Sequence, residues 1–358
     1  MAFAERLADF SNVILSRRSR HYRRCLAALA IGCLCLAVLA SASAAPKKWR
    51  VALVLPGSIS DHGFNEVAYQ GLQQIHQQLG ADTSFSENTA MANYERVIRG
   101  FAEEGNDIII CRGLEFDDLV AKIAPDYPKQ YFIVSDGHDL SGPNFISVEP
   151  RTRDAAFLAG VLAGLTTKTN KIGIVIGFDY PMIVADAEAF RWALRSVNPK
   201  AELQVIYLGS FDDVARGKEA ALVEIGAGCD IIDHNADTAG IGVIQAGVEK
   251  GVKVIGYGAD QNHVAPKTVY ATEVLDPAYM MSSAVKDIMA KRFDGKARVY
   301  GLDSPGISLG IAPGFVSPEV LAQVDRWKQA ILSGALTIPL MTTRDSGNAP
   351  LPAKLPAP

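Results

Sequence analysis

Short apolar runs alternate with amphipathic stretches along most of this 358-residue chain. Residues 51–55, 107–111, 131–134, 172–176, 203–207, 230–233 and 253–255 are the apolar runs, rich in Val and Ile. Brief runs of this kind predict strands buried on both faces. Between them, residues 65–79, 94–104, 155–165, 185–197 and 215–225 place apolar side chains at helical spacing. Alternating strands and helices require right-handed crossovers between parallel strands. The expected class is therefore α/β, with doubly wound parallel sheets.

The pattern occurs twice. Gly105-Asn106-Asp107-Ile108-Ile109 recurs as Gly228-Cys229-Asp230-Ile231-Ile232, 123 residues later. Residues 51–57 resemble 172–178 at an offset of 121, and 132–136 match 254–258 at 122. Nearly equal offsets predict two lobes of one topology; the alternative is two unrelated halves of one large sheet. Ligands of open α/β sheets bind beyond the carboxyl ends of the strands. The loops to inspect are then 56–65, 112–115, 135–139, 177–182, 234–240 and 257–261, where Gly and Asp are frequent.

The first 45 residues change the picture. Arg17, Arg18, Arg20, Arg23 and Arg24 precede an apolar stretch at 25–40, which ends in Ala40-Ser41-Ala42-Ser43-Ala44. These are the three parts of a secretory signal. The apolar run falls short of the roughly 20 residues that span a bilayer, which speaks against a retained anchor. Ala30-Ile31-Gly32-Cys33 resembles a lipoprotein box only weakly, because the apolar core continues past it. Ser16-Arg17-Arg18 leaves twin-arginine export open. The expectation is a periplasmic protein with its signal peptide cleaved and no lipid anchor.

Without the six arginines and two acids of that segment, the formal charge goes from −4 to −8. An acidic chain with no basic cluster is a poor partner for nucleic acid or an anionic membrane. Three of the five cysteines leave with the signal. Cys111 and Cys229 remain, at equivalent places in the two repeated units and so in different lobes, and are expected as buried free thiols rather than a disulfide. Residues 346–358 are rich in Pro and Ala, which predicts a flexible or extended tail.

Taken in order, the loops resemble the basic membrane protein family of ABC-transporter substrate-binding proteins. Asp61-His62-Gly63-Phe64-Asn65 is similar to its D-x-x-F-N segment, followed by residues 147–164 (SVEPRTRDAAFLAGVLAG). Residues 172–181 (IGIVIGFDYP), Gly209-Ser210-Phe211-Asp212-Asp213 with Lys218, and Asp260-Gln261 complete a likeness that spans roughly 49–314. The resemblance implies a type I periplasmic-binding fold with three hinge crossings, near 148–151, 271–276 and 304–308. The lobes would be 46–148 plus about 275–305, and 149–274 plus about 306–345. It also implies a purine nucleoside or nucleobase ligand and an inner-membrane ABC permease as partner, with no cofactor or metal and a monomeric mature protein.

Each loop then has a candidate role. Phe64 offers a flat apolar face to a heteroaromatic ring, and Asn65 offers both donor and acceptor to a purine edge. Asp61 can accept from a ring N–H; a turn or helix cap is the plain alternative. Asp136, after the run 131–134, can accept two N–H bonds from a base. Gly113 lies in the loop before it. Phe178 occupies the matching loop of the second lobe as a possible opposite wall, with Tyr180 and Trp192 in reserve, although Trp192 also fits a helical core position. Asn235, Asp237, Gly258 and Asp260 follow the later strands. Nucleoside-binding members of the family carry an acid where Gly258 stands and a lysine where Glu273 falls. Loss of both leaves ribose hydroxyls unpaired, each costing about 1–3 kcal/mol if buried. The expectation is a free base rather than a nucleoside.

An enzyme is the first rival. Neither G-x-G-x-x-G nor a Walker motif is present, and no His spacing suits a metal. His62, His138 and His234 do fall in strand-end loops. A ligand sensor that reports to a receptor is a second rival, and a cytoplasmic regulator a third.

Overall fold

The computed structural model describes residues 47–60 and 64–348. The signal segment, Asp61, His62 and the tail from residue 349 lie outside the described residues. Residues 49–348 belong to one compact unit that contains two six-stranded sheets.

In the first sheet, strands β1 (Arg50–Val54), β2 (Asp82–Ser86), β3 (Ile108–Arg112), β4 (Tyr131–Ser135), β5 (Phe145–Pro150) and β11 (Arg298–Tyr300) lie in the order β11-β5-β4-β3-β1-β2. Every pairing is parallel. The second sheet has β6 (Lys171–Ile176), β7 (Glu202–Tyr207), β8 (Ile231–Asn235), β9 (Lys253–Gly258), β10 (Val269–Leu275) and β12 (Ile307–Ile311), ordered β12-β10-β9-β8-β6-β7. It is parallel except for β12, which runs antiparallel to β10. Strand for strand the two orders coincide, as the repeat offsets require of two lobes with one topology.

Helices cover both faces of each sheet. In the first lobe, α1 (Phe64–Leu79) and α8 (Pro277–Met289) seal one face with Leu72, Ile75, Met281 and Val285. On the other face, α2 (Tyr94–Glu103) and α3 (Asp117–Ile123) contribute Tyr94, Ile98 and Val120. In the second lobe, α4 (Arg153–Thr166), α5 (Pro181–Val197) and α9 (Pro318–Leu332) cover one face. Its other face carries α6 (Val214–Gly226) and α7 (Gly240–Lys250). The small residues of α4 have a packing reason. A Cβ on Gly160 would lie 2.3 Å from the Phe190 carbonyl oxygen, so α4 and α5 approach backbone to backbone.

The chain passes between sheets three times, after β5, after β10 and between β11 and β12. These connections are tied together: the Arg151 N–H donates to Tyr300 O and the Asp276 N–H to Gly306 O. Residues 148–150 and 271–275 are strand ends, so the irregular segments are shorter than the sequence suggests.

Two expectations need correction. Cys111 ends β3 whereas Cys229 precedes β8, opposite Asn106 in the repeat, so the cysteines are not at equivalent places; both are free and buried. The tail is also not loose from residue 346. Ser346–Asn348 forms a short turn of 3-10 helix. Glu188, 1% exposed, anchors it by accepting the N–H groups of Asp345 (3.0 Å) and Gly347 (2.8 Å). A buried carboxylate needs donors, and this segment supplies them.

Candidate functional site

The parallel strands direct their following loops to one end of each sheet, which gives a half-site per lobe. In the first lobe, Phe64 opens α1 with its ring 37% exposed. Asn65 is buried, and its side-chain oxygen accepts the Gly57 N–H at 3.1 Å. A Cβ on Gly57 would collide with that amide. Asn65 therefore pins the β1–α1 loop, and its carbonyl is committed to the protein rather than to a ligand edge.

Asp136 follows β4 with φ of +61°, a left-handed conformation that Asp tolerates better than most residues. Its carboxylate forms an ion pair with Arg112, the last residue of β3. Arg112 is 1% exposed and makes further contacts. Its Nε donates to Phe64 O (3.2 Å), its Nη1 to Ser135 Oγ (3.0 Å), and its guanidinium lies 3.9 Å from the Phe64 ring centroid. Gly113 comes next at φ +119°, where a Cβ would strike the Glu115 carboxylate. Phe64, Asp136 and Gly113 are thus brought together around Arg112. Sequence reasoning missed Arg112, although a signal was present: an arginine ending a buried apolar strand demands an acid nearby.

The second half-site is aromatic. Phe178 and Tyr180 stack with centroids 5.3 Å apart and planes 6° apart. Phe211 tilts against Phe178 at 5.0 Å. Gly177 makes room for Phe211, since a Cβ there would meet its ring. Phe211 was legible only as part of the Gly209–Asp213 motif. The rest of that motif is structural: Ser210 Oγ accepts from the N–H groups of Asp212 and Asp213, and Asp213 caps α6.

Trp192 does not join them. It packs in the second-lobe core, edge-on to Phe157 at 5.6 Å. The open cavity of about 360 Å³ that it lines is otherwise lined by residues 339–343 and 346, none of which belongs to the strand-end loops. Asn235 donates to Asp186 (3.4 Å), and Asp237, at φ +47°, starts a short 3-10 turn. Gly258 ends β9 at φ +88°, which explains a glycine there. Asp260 is exposed and accepts the Asn262 N–H, as a turn residue does.

Two of the three loop histidines are accounted for structurally; His62 lies outside the described residues. His138 Nδ1 lies 2.9 Å from Glu149 Oε2. His234 is fully buried with Nε2 2.9 Å from Gln261 Oε1, and burial pushes it down to about 4. Among the described residues, no group of His, Cys, Asp and Glu could hold a metal ion.

The second lobe also holds buried acids. Desolvation raises Asp186 to about 7, Asp233 to about 8 and Glu224 to about 8. Glu273, 4% exposed, is also raised well above the ordinary range, first by burial and then by Asp233 and Asp186. At neutral pH this lobe therefore holds much of its acid in neutral form. A folding consequence follows. These folded-state values exceed the unfolded ones, so their stabilisation is complete at low pH and is lost as pH rises through about 7 to 8. His234 has the opposite sign, with stability lost as pH falls from about 6.5 towards 4. Between pH 6.5 and 8 only the acids act, and the melting temperature should fall across that window. Thermal melts at half-unit steps check this, and a rise would contradict the burial of these acids.

Comparison with known proteins now adds to the geometry. The family model described as "ABC transporter substrate-binding protein PnrA-like" matches residues 48–341. The chain is similar to a CD4+ T-cell-stimulating antigen of Listeria monocytogenes, 28% identical, over 82% of this chain and 88% of that protein. It is also similar to the ABC transporter nucleoside-binding protein BmpA of Lactococcus lactis, 26% identical, over 78% and 86%. Its fold matches the solute-binding protein of an ABC transporter system from Aeropyrum pernix, with a TM-score of 0.70 at 23% identity, covering 84% and 96%. Among the described residues, no helix is long and apolar enough to cross a membrane. Such receptors take a small-molecule ligand outside the cytoplasm and serve a membrane permease. This chain belongs to the Bmp family, the PnrA-like substrate-binding proteins of ABC transporters.

Proposed function

We propose that this chain is an exported receptor whose two lobes close on a purine-type nucleobase and deliver it to an ABC permease. One observation carries the reading: the partly exposed Phe64 and the Asp136 carboxylate share one partner, the buried Arg112 guanidinium, at the strand-end loops of the first lobe. A flat face next to an acceptor suits a heteroaromatic ring with polar N–H groups on its edge. The Phe178–Tyr180 stack supports a second aromatic wall across the cleft.

The sugar positions support a base over a nucleoside. Gly258 has no side chain, and Glu273 is a buried acid, whose charged form burial disfavours, rather than a lysine. Ligand that touches both lobes favours the closed state by its differential affinity, with the interlobe connections as hinges. The nucleoside reading is favoured by the Lactococcus relative's name.

Calorimetry with adenine, hypoxanthine, guanine, their nucleosides and a hexose tests the proposal. Free bases should bind more tightly than the matching nucleosides. Tighter nucleoside binding would overturn the base preference, and binding of the hexose alone would overturn the purine. Mass spectrometry of the solute that co-purifies is the independent check.

A further inference from the structure

We infer that Arg112 is a positioning residue that makes the first half-site select purines with a donor edge, that is, 6-oxopurines over adenine. The inference rests on the base-binding reading above. Arg112 itself is shielded from solvent, so it acts through the two groups it holds.

The first of these is Asp136. The guanidinium at the end of β3 pairs with its carboxylate at the end of β4, and Ser135 Oγ holds the same Nη1 at 3.0 Å. A charge beside a carboxylate favours its ionised form. An ionised carboxylate has no proton to donate; it only accepts. Guanine presents N1–H and a 2-amino group side by side, and hypoxanthine presents N1–H. Adenine presents N1 as a bare acceptor beside its amino group, so one of its edge atoms faces a carboxylate oxygen with no hydrogen between them. The second group is Phe64. The guanidinium covers one face of its ring at 3.9 Å and accepts no alternative position while Nε is bonded to Phe64 O. Only the other face is left for a base, which fixes the plane in which the edge meets Asp136.

Other titratable groups at this end of the sheet include Glu115, which packs against Gly113, and His138 with its acidic partners. The His138 N–H donates to Asp117 Oδ2 at 2.9 Å, and His138 Nδ1 lies beside Glu149 Oε2. The ratio of two affinities cancels any effect that is common to both bases, so it reports on the edge that meets Asp136.

The test is the guanine-to-adenine affinity ratio, measured by calorimetry from pH 5.5 to 8 in wild type, Arg112→Met and Arg112→Lys. Wild type should prefer guanine at least tenfold, with a ratio that is flat in pH. Arg112→Met should bring the ratio within about threefold at pH 5.5, because an unpaired carboxyl can take up a proton and donate to adenine N1. Arg112→Lys, which restores the charge, should recover most of the preference. An unchanged ratio in a folded Arg112→Met protein overturns the inference. If that variant does not fold, the wild-type profile still decides: a ratio that collapses at pH 5.5 overturns it. Wild type that binds neither base removes the nucleobase reading itself, an outcome distinct from binding both without discrimination.

Discussion

Phe64→Ala should weaken purine binding at least tenfold while leaving the fold intact. A tenfold change needs only about 1.4 kcal/mol. Stacking supplies about 0.5–1.5 kcal/mol beyond burial, and the exposed part of the ring adds apolar area that a ligand covers at roughly 25 cal/mol per Å². The ring is 37% exposed and lies at the first turn of α1, so its loss leaves little cavity in the core. Calorimetry reads the affinity and circular dichroism the fold. An unchanged affinity removes Phe64 from the site.

Asp136→Asn should separate the purines rather than weaken them all. The amide keeps the shape but adds a donor, so bases that offer N–H groups to Asp136 should lose tenfold or more, and adenine should hold or gain. The substitution also removes one carboxylate partner of the Arg112 guanidinium. Removing one partner of a fully buried pair costs about 3–5 kcal/mol, and less here because Asp136 retains some exposure. The melting temperature should therefore fall along with the guanine affinity. Competition titrations against a panel of bases check the result. Equal loss for every base would make Asp136 structural.

Under the proposed base-binding reading, closure and selectivity are linked through these residues. The first lobe carries the Arg112–Asp136 ion pair at the ends of β3 and β4, and the second carries stacked rings and acids whose charged form burial disfavours.

The period of the chain was legible because parallel strands buried on both faces must be apolar throughout, and helices over them must be amphipathic. Residues 51–55, 107–111 and 131–134 needed no further information. Strand β2 was not legible: Asp82–Ser86 is a partly exposed edge strand with polar residues, so burial imposes no pattern on it. Strands β11 and β12 escaped notice for a related reason. They are edge strands formed after a lobe crossing, and their pairing to β5 and β10 is decided by contacts far away in sequence. Helix α8 belongs to the first lobe only because the chain returns there, against α1.

The candidate site divides in the same way. Phe64, Asp136 and the Phe178–Tyr180 pair could be nominated from loop position, since the ends of parallel strands converge whatever the details. Asn65 and Trp192 could not be sorted from them, because a polar group that pins a loop and one that binds a ligand have the same sequence signature, as do a core Trp and a wall Trp. Burial decided both: Asn65 faces Gly57 and Trp192 faces Phe157. By itself the sequence determined the alternation, the duplication and the class of loop that carries function, because these follow from local period and spacing. Only the tertiary structure decided that Arg112 lies between Phe64 and Asp136, because the partner of a buried charge is a matter of strand order, and strand order brings residues 64, 112 and 136 to one point.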